Sequence, residues 1–116
     1  MLVPGFYTID SIEEIDGGIV GHIKLDPAHD LYKGHFPDQP VVPGVMQLQI
    51  VKEIFEKYLG KNLSIKKVRQ IKYMIPIIPD DYHRLSFELK FKNTSTIVFQ
   101  ITSGDALFSK GSVELV

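Results

Sequence analysis

The sequence predicts an α+β domain in which an antiparallel β-sheet of about five to six strands wraps around one central helix. Three observations carry this prediction. Period-two alternation of apolar and polar residues recurs in separate stretches of the chain, whereas a single stretch, Gly44 to Leu59, has the helical period. That helix is apolar over well over half of its circumference, so it must be covered on most sides. The alternating stretches after it are joined by short polar turns, as in antiparallel hairpins, with no room for helical crossovers. One helix flanked by strands obtains its cover from a sheet curled around it.

Taken in chain order, Phe6 to Ile12 reads as a first strand. In Gly18 to Asp26, Ile19, Ile23 and Leu25 fall on one face and Val20, His22, Lys24 and Asp26 on the other. In the helix Gly44 to Leu59, the residues Leu48, Ile50, Val51, Ile54, Phe55, Tyr58 and Leu59 form the apolar surface, and Gly60 is the expected C-terminal cap. Lys52, Glu53 and Glu56 form the narrow polar stripe, so Glu53 is expected to be solvated and paired with Lys57 at i,i+4. Gln47 points into the Ile50, Val51, Ile54 arc and is expected to be a buried amide in need of a partner. Ile65 to Ile78 reads as extended, with Ile71, Tyr73 and Ile75 on one face. Leu85, Phe87, Leu89 and Phe91 alternate with Ser86, Glu88, Lys90 and Lys92; Ile97, Phe99 and Ile101 do so with Val98, Gln100 and Thr102. Lys92-Asn93-Thr94 turns between them, and Ala106 to Val116 is the last strand after Gly104-Asp105.

With 116 residues, 44% hydrophobic and 23% charged, residues 1–116 fit one domain with one core. A net charge of −1 argues against a dedicated nucleic-acid binder. No apolar run reaches the roughly 18 residues of a membrane span, and Met1 to Gly5 lack the features of a signal peptide, so the expected location is cytoplasmic. The absence of cysteine excludes disulfides, thiol nucleophiles and Cys-based zinc sites. His22, His29 and His83 read as surface residues, and His29 and His35 lack metal-ligand spacing, so neither a metal nor another cofactor is expected. From Lys57 to Pro79 there are six basic residues, Lys57, Lys61, Lys66, Lys67, Arg69 and Lys72, and no acidic one. Such a patch either steers an acidic partner or is simply a solvated face.

The stretch Gly34-His35-Phe36-Pro37, followed by Pro40-Val41-Val42-Pro43-Gly44-Val45 and the apolar helix, resembles the signature of the β-hydroxyacyl-acyl carrier protein dehydratases, the FabZ and FabA group. Lys72 to Asp81 looks like that family's segment in which a strand ends at a proline and a turn follows. The resemblance implies a hotdog fold and removal of water from a 3-hydroxyacyl thioester, carried by acyl carrier protein or CoA, in fatty-acid or related biosynthesis. It implies that His35 is the base, an imidazole suited to proton transfer near neutral pH. The Gly44 N–H would polarise the thioester carbonyl at the positive end of the helix. Phe36, Pro37, Val42, Pro43 and Val45 would line the substrate site. The third role falls on Gln49, fourteen residues after His35, where the family has Glu or Asp. An amide cannot donate a proton as a general acid. Alternatives therefore stand beside the dehydratase: a non-catalytic acyl-thioester-binding subunit, alone or completed by a paralogous hotdog chain, or, further off, a thioesterase. The resemblance also implies a homodimer or an oligomer of dimers, and acyl carrier protein docking on Lys61, Lys66, Lys67, Arg69 and Lys72.

Overall fold

The computed structural model describes residues 3–34 and 40–116. It contains six strands, β1 (Tyr7–Ile15), β2 (Gly18–Leu25), β3 (Ile65–Tyr73), β4 (Arg84–Phe91), β5 (Thr96–Ser103) and β6 (Ala106–Leu115). A short helix α1 (Leu31–Gly34) and the long helix α2 (Gly44–Leu59) lie between β2 and β3. The strands form one antiparallel sheet in the order β1-β2-β4-β5-β6-β3. This is the hotdog arrangement: a curled sheet with one long helix against its inner face.

The alternation read in the sequence becomes the inner face directly. Ile19, Ile23 and Leu25 of β2, Leu85, Phe87 and Leu89 of β4, and Ile97, Phe99 and Ile101 of β5 are all buried. They meet Met46, Ile50, Val51 and Ile54 of α2 in a single core. Gly21 lets the helix sit close to β2, because a Cβ there would stand 2.9 Å from two side-chain atoms of Ile54. Phe91 continues the inward face of β4 but is partly exposed at the rim, edge-on to Phe55 at 5.5 Å. α2 begins after Pro43, whose extended backbone precedes the first turn, and ends on Gly60 with left-handed φ of 71°. The Gly60 N–H bonds the Glu56 carbonyl at 2.8 Å, closing the last turn.

Two boundaries differ from expectation. β1 runs on to Ile15, because its pairing with β2 extends to the Gly18 turn past a bulge between Ile9 and Ser11. β3 ends at Tyr73 and does not reach Ile78. Beyond it the Met74 and Ile75 N–H groups both turn to the Phe108 carbonyl, and Pro76 and Pro79, which lack donors, cannot extend a ladder. β3 is an outer strand, exposed along most of its length on both faces.

Candidate active site

The start of α2 is the focus of the predicted chemistry. No side chain caps it, and the Pro43 carbonyl accepts from Met46 N–H at 3.0 Å and Gln47 N–H at 3.1 Å. Helix geometry leaves the first N–H groups aimed outward, with the positive end of the helix dipole. Beside them opens a pocket of about 440 Å³ lined by Val41, Val42, Pro43, Gly44, Gln47, Tyr73, Met74, Ile75 and Pro76. Gly44 lets the Tyr73 ring lie against the helix start: a Cβ would collide with the Tyr73 hydroxyl and lie 2.7 Å from the ring carbon that bears it, so the ring would have to move aside. Desolvation pushes the Tyr73 hydroxyl above the ordinary tyrosine range, so at neutral pH it remains a donor. Tyr73 enters this site from an alternating face whose pattern marked only a strand.

The floor of the pocket is held by a neutral network. Ser109 Oγ donates to Gln47 Oε1 at 2.6 Å, and Gln47 Nε2 donates to the Val42 carbonyl at 3.4 Å. Val42 N–H in turn bonds the Ile77 carbonyl at 2.9 Å, tying the segment before α2 to the one after β3. The buried amide expected at Gln47 thus has its partners, one of them 62 residues away. Of the predicted substrate-lining residues, Val42 is buried, Pro43 is half-buried at the pocket and Val45 faces solvent.

His35, Phe36 and Pro37 lie outside the described residues. The segment leading to them is well anchored. His29 Nε2 donates to the Pro4 carbonyl at 3.0 Å and its Nδ1 accepts from Leu31 N–H at 3.0 Å, an assignment that satisfies both ring nitrogens in one tautomer. The Tyr32 ring packs against Phe6 with centroids 5.4 Å apart. His29 is therefore a pin for the loop before α1, where the sequence suggested a surface residue. His22 does lie on the outer face of the sheet, 3.0 Å from Ser86 Oγ and 3.7 Å from Glu13.

Gln49 stands on the other flank of α2. Five residues separate it from Gly44, about 140° around the axis, and it does not line the Gly44 pocket. Its Nε2 donates to Glu53 Oε2 at 2.9 Å, while Tyr7 Oη donates to Glu53 Oε1 at 2.7 Å. This corrects the expectation for Glu53. It is buried, at 8% exposure, where the helical period suggested a solvated residue, and on the neighbouring positions Lys52 pairs with Glu56 at 3.3 Å. The reason is tertiary: β1 lies along this side of the helix and covers what helical period alone marks as a polar stripe. Burial, then the bond to Glu53, push the Tyr7 hydroxyl far above the usual tyrosine range, fixing it as a donor. A long-range phenol–carboxylate pair is invisible to periodicity, so the sequence carried no signal for it.

A larger apolar pocket of about 820 Å³ lies at the opposite end of α2, lined by Phe55, Tyr58, Leu59, Leu63, Phe91 and neighbouring residues. Phe55 is eleven residues from Gly44, about 16 Å along the axis, so this pocket is separate from the helix start. On β3, Lys66, Lys67, Arg69 and Lys72 are exposed as the charge run suggested, but Arg69 is engaged by Glu114 at 2.8 Å. That hydrogen bond holds the Glu114 carboxyl below the usual carboxylate range, with Lys66 and Lys67 adding to the effect. Among the described residues no helix is long and apolar enough to cross a membrane.

Comparison with known proteins agrees with this fold. A family model described as ApeI dehydratase matches residues 8–112, and the chain belongs to this ApeI-like dehydratase family. The 3-hydroxyacyl-[acyl-carrier-protein] dehydratase FabZ of Clostridium novyi is 26% identical over 110 residues, covering 86% of this chain and 78% of that protein. The same enzyme of Clostridium acetobutylicum is 27% identical over 90 residues, 70% of this chain and 64% of that protein, so the chain spans just under two thirds of its length. Among solved structures, the dehydratase heterocomplex ApeI:P from Xenorhabdus doucetiae has a similar fold. Its TM-score is 0.77 at 24% identity, with 93% of this chain and 96% of that one covered.

Proposed function

We propose that the chain acts on 3-hydroxyacyl thioesters of an acyl carrier protein or CoA, removing water to give the trans-2-enoyl thioester. The uncapped helix start at Gly44, opening into a pocket within a dehydratase-family fold, is the observation that supports this most. His35 takes the α-proton, and the Gly44 N–H, aided by the helix dipole, stabilises the oxygen of the resulting enolate. Phe36, Pro37, Val42, Pro43 and Val45 border the acyl thioester. Gln49 occupies the position of the acid and binds the 3-hydroxyl without donating a proton to it, so the proton that the departing hydroxyl needs is returned from the His35 imidazolium through a bridging water. Because Gly44 and Gln49 lie on different flanks of α2, a complete site takes Gln49 from a second subunit. That subunit is another copy in a homodimer or a paralogous hotdog chain. Lys61, Lys66, Lys67 and Lys72, with Arg69 beside them, offer a basic surface to an acidic carrier protein, in the cytoplasm and within fatty-acid or related acyl-chain synthesis. Residues 1–116 act as one domain in this reading.

Hydration of a crotonyl thioester, the convenient reverse reaction, tests the assignment. His35→Ala is expected to lower turnover about 10²–10⁴-fold, the usual range for loss of an acid–base group; unchanged turnover refutes the role. Gln49→Glu is expected to raise dehydration at least about tenfold, equivalent to about 1.4 kcal/mol of barrier. The second reading, a non-catalytic acyl-binding subunit that works beside a paralogue, is favoured by the amide at position 49 and by the heterocomplex neighbour. It predicts binding without turnover by the protein alone and turnover once the partner chain is added.

A further inference from the structure

We infer that Glu53 is a positioning residue: with Tyr7, it orients the Gln49 side chain so that the amide carbonyl oxygen faces outward as an acceptor for the 3-hydroxyl of the acyl substrate. The inference rests on the acyl-thioester reading above and adds to it what sets the orientation of the amide at position 49. A primary amide has two chemically opposite ends, and only a neighbour of fixed polarity decides which faces the ligand. Here the neighbour is a carboxylate. Glu53 Oε2 lies 2.9 Å from Gln49 Nε2, and reversing the amide would set two acceptor oxygens against each other. The other carboxylate oxygen already receives the Tyr7 hydroxyl at 2.7 Å, so the carboxylate cannot turn to release the amide without losing a buried bond. Glu53 itself is more than nine-tenths buried, which makes the arrangement part of the protein's interior.

With Nε2 committed to Glu53, Gln49 presents Oε1 to whatever occupies the site. A carbonyl oxygen accepts from a hydroxyl and is indifferent or unfavourable to a thioester oxygen or an enoyl carbon. The pair therefore favours the hydroxylated acyl chain over the saturated one. Proton transfer is left to other groups, and no bond is made or broken at Gln49 or Glu53.

Calorimetric titration of the whole protein with the N-acetylcysteamine thioesters of 3-hydroxybutyrate and butyrate reads this directly. Wild type is expected to bind the hydroxylated probe about tenfold more tightly, the value of one hydrogen bond. Glu53→Gln, whose amide can meet Gln49 with either end, should erase most of that preference while leaving butyryl affinity unchanged. Tyr7→Phe should reduce it partly. The Gln49 side-chain NH₂ resonances give a readout that needs no thioester: they should be well dispersed in wild type and shift toward ordinary amide positions in Glu53→Gln. Equal binding of the two probes by wild type, or a preference that survives Glu53→Gln, overturns the proposal alone. Binding of neither probe overturns the acyl-thioester reading with it.

Discussion

The two flanks of α2 bury polar side chains in different ways. Toward β6, Gln47 meets Ser109 through a neutral amide and a neutral hydroxyl, with the Val42 carbonyl taking the remaining donor. Toward β1, Glu53 brings a carboxylate into the interior, and two neutral donors, the Tyr7 hydroxyl and the Gln49 amide, meet it. The difference teaches what each flank is for. A neutral amide–hydroxyl pair fastens helix to sheet and braces the walls of the Gly44 pocket. A buried carboxylate is costly unless every oxygen is met, so it fixes the orientation of whatever meets it. On this flank that is the Gln49 amide.

The largest effect expected from breaking this contrast is on the charged flank. Glu53→Leu leaves the buried Tyr7 hydroxyl without its acceptor and should lower stability by about 2–3 kcal/mol, the desolvation penalty of an orphaned polar group. Adding Tyr7→Phe removes the orphan, so the double variant should recover much of the loss in urea unfolding. Simple additivity of the two changes would show that the pair is not coupled. On the neutral flank, Gln47→Ala strands the Ser109 hydroxyl, which is 0% exposed, and leaves a void. A loss of about 2 kcal/mol is expected, with partial rescue by Ser109→Ala and no change in the loss between about pH 6 and pH 9, since neither partner titrates there.

Tyr7→Phe alone gives the smallest change near neutral pH, about 1 kcal/mol, but it separates the flanks by their pH dependence. The folded-state pKa of Tyr7 lies above its unfolded value near 10. Below that pH both states hold the proton and the contribution is complete. Above it the unfolded chain releases the proton while the folded chain keeps it, so stability falls as pH rises. Wild type should therefore lose stability more steeply than Tyr7→Phe between about pH 9 and pH 11. Parallel slopes in urea midpoints would mean that Tyr7 is not held as the buried donor described here.

The contrast between inner strands and the β3 edge shows what was legible. β2, β4 and β5 each bury one face against the same helix, and period two reports a one-sided burial faithfully. β3 has neighbouring sheet on one side only and is little covered on either face, so its residues read as extended without revealing where the strand stops. The apolar side chains Val68, Tyr73 and Ile75 remain substantially exposed along and just beyond this edge.

The sequence by itself determined the class of fold, the long helix with both of its ends, and the position of Gly44 at the helix start, because periodicity, a Pro-Gly entry and a glycine exit are local properties of the chain. It also determined that an amide stands at position 49. Only the tertiary structure decided which way that amide points, that Glu53 is interior and that Tyr73 lies over Gly44. Each of those outcomes depends on partners brought from far along the chain: Tyr7 from 46 residues before Glu53, and Tyr73 from across the pocket at the edge of the sheet. A helical wheel records the polarity of a residue, whereas its burial depends on which strand the fold lays beside it.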